Sequence, residues 1–309
     1  MKINFWPEGD FDFSSLVTSS EIREIEGFLE DIYAPYRVIL FSSARAALSA
    51  IIEVEKLSKK NLLGIPKFSS TCVIHAVTGF TQVTPFYSTE PDMYLVYHQM
   101  GVPYKIESTK KVIEDSADSL CLDASALFQN NSSYEVFSLP KIIGSKFGGM
   151  VVVKNDKEAS ELEKIRNTRD KYVLFFDLLR AGKKTFPLGE LLWEGACTRA
   201  YGTSRIARAD ISSKLLHWKN ITDQRLRRME TVEKLNLNQW QLSTGRLLCC
   251  LPVNLERVSA ELKSKYPYLI RNLYIDQTLK SQEMKQFFLL PLHQHCPDQF
   301  FDFALKEMK

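Results

Sequence analysis

Two stretches carry residue types from which organic catalysis can be built. VIEDSADSL ends an apolar run on Glu114 and Asp115, and FSLPKIIGSKFGGM carries Ser138 and Lys141, the lysine 26 residues beyond Asp115. A third stretch, Ser42-Ser43-Ala44-Arg45, opens a run of helical periodicity. A carboxylate at a strand end can keep a heteroaromatic nitrogen protonated. A lysine amine can condense with a carbonyl, and the free N–H groups and positive dipole of a helix start suit a phosphate. Together these are what pyridoxal phosphate requires. Taken singly, each has a plainer reading: a turn-forming Asp, a solvated loop lysine and an ordinary Ser cap.

Positioning such groups takes strands that end at one edge and helices that begin there. SEIREIEGFLEDIY reads as a helix with an Ile22, Ile25, Leu29, Ile32 stripe below a Ser20 cap. SSARAALSAIIEVEKL reads as a second, capped by Ser42 or Ser43, with Ala44, Ala47, Leu48, Ile51 and Ile52 inward. NLLGIP, QVTPFY, DMYLVYHQM, KVIEDS, YEVFSL and GGMVVV read as strands, and STCVIHAVTG as a helix. This alternation predicts an α/β domain on a largely parallel sheet, with Asp115, Ser138 and Lys141 at its ligand-binding edge. After about Asn155 the pattern turns helical to Lys234, with ADISSKLLHWKNITDQRLRRMETVEKL as one long or two abutting amphipathic stretches. RLLCCLPV and FFLLPL then read as strands, and PDQFFDFALKEM as a closing helix. The expected organisation is a large α/β domain over 1–205, then a helical connection and a small α+β domain over 206–309.

Composition narrows the function classes. The 309 residues carry 40 basic and 37 acidic side chains, a net charge of +3 with no dominant basic tract, so no nucleic-acid partner is expected. No apolar run approaches membrane-spanning length, and MKINFWPEGDFDF lacks a signal-peptide core, so a soluble cytoplasmic protein without a membrane partner is expected. The six scattered cysteines form no CxxC pair and read as reduced, mostly buried thiols. His293-Gln294-His295-Cys296 reads as polar residues at a strand end rather than a zinc site, and no metal is expected. With no GxGxxG or GxxxxGK[ST], any phosphate must rest on an ordinary helix N-terminus.

The order of these stretches resembles the DegT/DnrJ/StrS sugar aminotransferases, pyridoxal-phosphate enzymes of fold type I. SSARAALSAII looks like that family's helix start under the cofactor phosphate, and VYHQMGVP like its H-x-x-G-x-P turn. VIEDSADSL is similar to V-I-E-D-x-A, FSLPKIIGSKFGG to F-S…K…G-G, and FFLLPLHQH to the closing L-P-L-H. The resemblance implies Lys141 as the Schiff-base lysine and Asp115 as the pyridinium partner. It implies Ser138 and the backbone amides around Ala44 and Arg45 at the phosphate. Ser70 falls where members place an aromatic or Cys against the ring. Asp118 falls where they carry Gln or His near the ring hydroxyl, and its charge is unfavourable there unless it turns away. Thr203 or Ser204 falls where members lend an Asn across a homodimer interface. The activity implied is amino transfer from a donor such as glutamate to a nucleotide-linked keto-sugar. Lys141 argues against the deoxygenating subgroup, which has histidine there. The rival readings are a non-catalytic relative that binds a sugar nucleotide or a partner protein, and another pyridoxal-phosphate reaction.

Overall fold

The structure is a computed structural model that describes residues 3–7, 21–86, 90–168, 173–182, 201–237, 244–274 and 284–308. From the N-terminus, α1 (Ile22–Tyr33) leads into β1 (Arg37–Phe41), α2 (Ala44–Val54), β2 (Leu62–Ile65), α3 (Thr71–Thr78), β3 (Gln82–Pro85) and β4 (Met93–Tyr97). Next come β5 (Val112–Asp115), β6 (Ser119–Cys121), β7 (Tyr134–Ser138), the one-turn α4 (Leu139–Ile142) and β8 (Gly149–Val153). The helices α5 (Asp156–Thr168), α6 (Val173–Gly182), α7 (Arg205–Leu215) and α8 (Trp218–Lys234) follow. The chain ends with β9 (Arg246–Leu248), β10 (Cys250–Asn254), α9 (Ala260–Lys265), β11 (Ile270–Tyr274), β12 (Met284–Pro291) and α10 (Asp298–Lys306).

Among the described residues the main sheet has seven strands in the order β1-β8-β7-β5-β4-β2-β3, of which β8 alone runs against its neighbours, antiparallel to both β1 and β7. Its short return from α4 needs no crossover helix, whereas parallel neighbours do. The alternation of β1 divides the interior. Val38 and Leu40 face α1, α7, α8 and the small sheet, while Ile39 and Phe41 face α2, α3 and α5. The small sheet, ordered β10-β12-β11, packs Leu251, Val253, Phe288 and Leu290 into the first of these cores. Pro252 sits in β10, an edge strand, where the missing N–H costs no ladder bond inside the sheet.

Local signals account for the helix starts. Ser43 caps α2, its Oγ accepting from Ala46 N at 3.1 Å. At α1, Glu21 N donates to Glu24 Oε2 at 3.1 Å, while the expected cap Ser20 lies outside the described residues. The amphipathic stretch predicted as one helix or two is two, α7 and α8, separated at Leu216–His217. Among the described residues no helix is long and apolar enough to cross a membrane.

Candidate active site

Because β1, β4, β5 and β7 run the same way, their C-terminal ends meet at one edge, where open α/β sheets bind ligands. Tyr97 and Asp115 are direct neighbours across the β4–β5 ladder. Ser138 ends β7 and opens α4, whose turn lifts Lys141 over the same edge. Asp115 is buried at 2% exposure, and its Oδ1 accepts from Ala117 N at 3.1 Å. Burial pushes its carboxyl up to about 6, with Lys141 pulling it down and Asp118 pushing it further up.

Lys141 Nζ donates to Asp118 Oδ1 at 2.7 Å and lies 4.5 Å from the centre of the Trp6 ring. Asp118 is fully buried and aimed at the lysine, because an ammonium there offsets the cost of burying its charge. The other Asp118 oxygen accepts from the Tyr97 hydroxyl and from Met100 N. Burial alone would push the Lys141 ammonium down, but Asp118, Asp115 and Cys72 outweigh it and hold its pKa above the usual lysine value. The α4 turn is itself held from behind, since Arg225 donates to the carbonyls of Lys141 and Ile142 and Cys249 Sγ donates to Lys141 O at 2.8 Å.

A cradle lies beside this pair. Ser138 is paired with Gly149 in the β7–β8 ladder, and a Cβ on Gly149 would stand 2.1 Å from Ala44 N. Only glycine lets β8 approach the start of α2 so closely. Ala44 and Arg45 begin α2 behind the Ser43 cap, which engages the amide of Ala46. The Ser138 side chain makes no capping bond to α4. Tyr201 O accepts from Ser42 N at 3.1 Å; two residues further on, the buried Thr203 hydroxyl has no partner among the described residues. Ser204 is engaged as the cap of α7, accepting from Ala207 N at 3.2 Å. A buried acid, a half-buried lysine and an oxygen- and amide-lined helix start fit pyridoxal phosphate.

Ser70 is exposed at the start of α3, its hydroxyl 2.7 Å from Cys72 Sγ, and Cys72 lies within electrostatic reach of Lys141. Trp6, Tyr97 and Cys72 were missed by the sequence reading. Tyr97 was recoverable as the last residue of a strand beside Asp115, whereas Trp6 belongs to a segment with no periodicity. The predicted reduced cysteines are free wherever described, and Cys197 lies outside the described residues. His293 donates from Nε2 to Asn4 O at 2.9 Å and His295 N donates to His293 Nδ1 at 3.2 Å, so this turn is a structural knot.

Behind β5, His98, Glu114 and Glu135 offer ligand atoms within 4.8 Å of one another. Their capacity is taken up by protein. Tyr104 N donates to His98 Nδ1 at 2.9 Å, leaving Nε2 to donate to Glu114 at 2.7 Å. Asn130 N and Ser132 Oγ donate to the other Glu114 oxygen. Burial pushes Glu114 up, but His98, Asn130 and Ser132 outweigh it and hold its carboxyl low. Glu135 accepts from Arg246, Ser116 and Phe128 N.

The fold and site define a pyridoxal-phosphate-dependent enzyme of fold type I. Residues 25–307 match the model of a family described as "Putative PLP-dependent aminotransferase", and the chain belongs to that family. Its fold is also that of solved aminotransferases at low identity. The sugar aminotransferase CalS13 from Micromonospora echinospora is 12% identical, with a TM-score of 0.66 over 99% of both chains. A DegT DnrJ EryC1 StrS aminotransferase from Brucella abortus is 13% identical, with a TM-score of 0.63 over 95% of this chain and 93% of that one. DesI, solved in the presence of its TDP-sugar product, is 13% identical, with a TM-score of 0.61 over 97% and 90%. No curated protein sequence matches the chain.

The raised Asp115 carboxyl has a measurable consequence. A folded-state pKa of about 6 against about 4 unfolded means that the cofactor-free protein loses stability as pH rises from 4 to 6, by roughly 3 kcal/mol. Asp115→Asn is expected to remove this slope, so that denaturation midpoints show the variant gaining on the wild type between pH 4 and pH 7. Parallel pH profiles of the two would contradict the assignment.

Proposed function

We propose that the protein moves an amino group from a donor such as glutamate onto the keto carbon of a nucleotide-linked sugar, in amino-sugar or surface-polysaccharide synthesis. The observation that carries this is the Lys141–Asp118 contact of 2.7 Å beside the buried Asp115 at one sheet edge. The family's chemistry, and the TDP-sugar product with which DesI was solved, support the substrate class. Bound pyridoxal phosphate supplies an aldehyde that carries the amino group and a ring that accepts the electrons of a broken C–H bond. Lys141 would bond to it and, when released, move a proton at its Nζ. Asp115 would hold the proton on the ring nitrogen. Ser138 and the Ala44 and Arg45 amides would hold the phosphate.

The proposal extends to a cytoplasmic homodimer and to a functional division near residue 205. The division is supported by the main sheet lying wholly before it and the three-stranded sheet wholly after it. Purified protein loaded with pyridoxal phosphate is expected to convert to the pyridoxamine form on adding glutamate, and to return to the first spectrum on adding a 3- or 4-keto nucleotide sugar. Half-conversion by glutamate with no return on any keto-sugar nucleotide would sink the sugar reading while leaving the family assignment intact.

A further inference from the structure

Asp118 is a carboxylate where the resembled family carries Gln or His, and its two oxygens have different duties. Oδ1 faces Lys141 Nζ at 2.7 Å, and Oδ2 receives the Tyr97 hydroxyl and Met100 N. Burial, followed by the charge and hydrogen bond of Asp118, holds Tyr97 far above the usual phenol range, so its hydroxyl stays a donor. The other groups around the lysine are Asp115 from β5, Cys72 from α3 and the Trp6 ring, while Cys249 and Cys250 lie within electrostatic reach of both Lys141 and Asp118. Burial pushes both of these thiols up, so both stay neutral. Cys72 does not touch the lysine by any hydrogen bond, and Asp115 engages Ala117 N. Asp118 is the carboxylate in hydrogen-bonding contact with the reacting nitrogen.

We infer that Asp118 is a catalytic proton partner of Lys141, taking the ammonium proton so that the amine can attack a carbonyl and returning it when water departs. This rests on Lys141 being the residue that bonds the cofactor. An ammonium has no lone pair and cannot attack. In the first move an N–H bond of Lys141 breaks, its electron pair stays on nitrogen, and the proton bonds to Asp118 Oδ1. The ion pair becomes a neutral amine and a carboxylic acid with no change in total charge, which suits a carboxylate as deeply buried as Asp118. The lysine nitrogen then bonds to the carbonyl carbon, whose oxygen leaves as water after receiving the Asp118 proton and one from nitrogen. Tyr97 positions Asp118 by occupying Oδ2, which leaves Oδ1 for the lysine. An amide at residue 118 can hold the lysine in place but cannot take its proton.

The test is the pH dependence with which cofactor-free protein captures pyridoxal 5′-phosphate, followed by stopped-flow absorbance and confirmed by borohydride trapping at Lys141. Internal transfer makes the reactive pair independent of pH below the lysine pKa. The ratio of the Asp118→Asn rate to the wild-type rate is therefore expected to rise about tenfold per pH unit between pH 6.5 and 8.5, since the variant must lose its proton to solvent. Ionisations of the aldehyde itself cancel in that ratio. Tyr97→Phe keeps both proton-carrying atoms and is expected to leave its own ratio to wild type flat. Circular dichroism and a denaturation midpoint confirm that each variant is folded. A flat ratio for Asp118→Asn, or a sloping one for Tyr97→Phe alone, overturns the inference. If Asp118→Asn does not fold, a sloping Tyr97→Phe ratio still overturns it and a flat one supports it. No trappable adduct in the wild type at any pH would instead overturn the role of Lys141.

Discussion

Lys141→Ala is expected to lose amino transfer by about 10⁴-fold, the upper end of what one positioned acid–base group contributes. Two functions disappear together, the covalent tether and the proton carrier. The loss should not come from unfolding. The α4 turn is held by backbone contacts to Arg225 and Cys249 that an alanine preserves, and a third of the lysine side chain is exposed. Removing Lys141 does leave Asp118 buried without its cation, so a modest fall in stability accompanies the loss. Absorbance with added pyridoxal phosphate, before and after borohydride, is the direct check: the wild type should give a reducible band and the variant none. A reducible band of wild-type intensity in Lys141→Ala would place the covalent bond on another lysine.

Arg246→Met is expected to cost about 3–5 kcal/mol, the usual result of stranding one member of a buried ion pair. Arg246 is 1% exposed and donates to Glu135 at 2.7 Å, to Ser116 at 2.7 Å, to Ser119 at 3.1 Å and to the Ala126 carbonyl at 2.9 Å. It thus staples the β6–β9 pair to β7 through the turn that carries Asp115 and Asp118. Without it Glu135 keeps, among the described residues, only Ser116 and Phe128 N as donors for a fully buried charge. Adding Glu135→Gln should recover part of the loss, and the double-mutant cycle in urea midpoints measures the coupling. A single-variant cost below about 1 kcal/mol would mean that water replaces the guanidinium and that the staple is not structural.

Much of the fold was legible because hydrophobic periodicity is local. The Ile25–Leu29 stripe, the Ala46–Ile52 face and the strand around Val112–Asp115 each report their burial through residues a few positions apart. The three-residue β6 and the strand β11 were missed because pairing partners far along the chain define them: β6 needs β9, and β11 needs β12. The arginines of RLRRM were not legible for a related reason: the stretch reads only as amphipathic, yet on α8 Arg225 and Arg228 are buried against the Lys141 turn and the His293–Cys296 turn.

The sequence by itself determined the α/β alternation, the strand-end acid, the lysine after the next parallel strand and the Ser-capped helix start, since residue types and short-range spacing encode each of these. The tertiary structure alone decided which neighbours Lys141 has. Asp118 faces the lysine, Cys72 of α3 lies within electrostatic reach of it, and Trp6, 135 residues upstream by number, lies against it. Side-chain direction at a sheet edge depends on which charges must neutralise one another once water is excluded, and that balance exists only after distant segments have packed together.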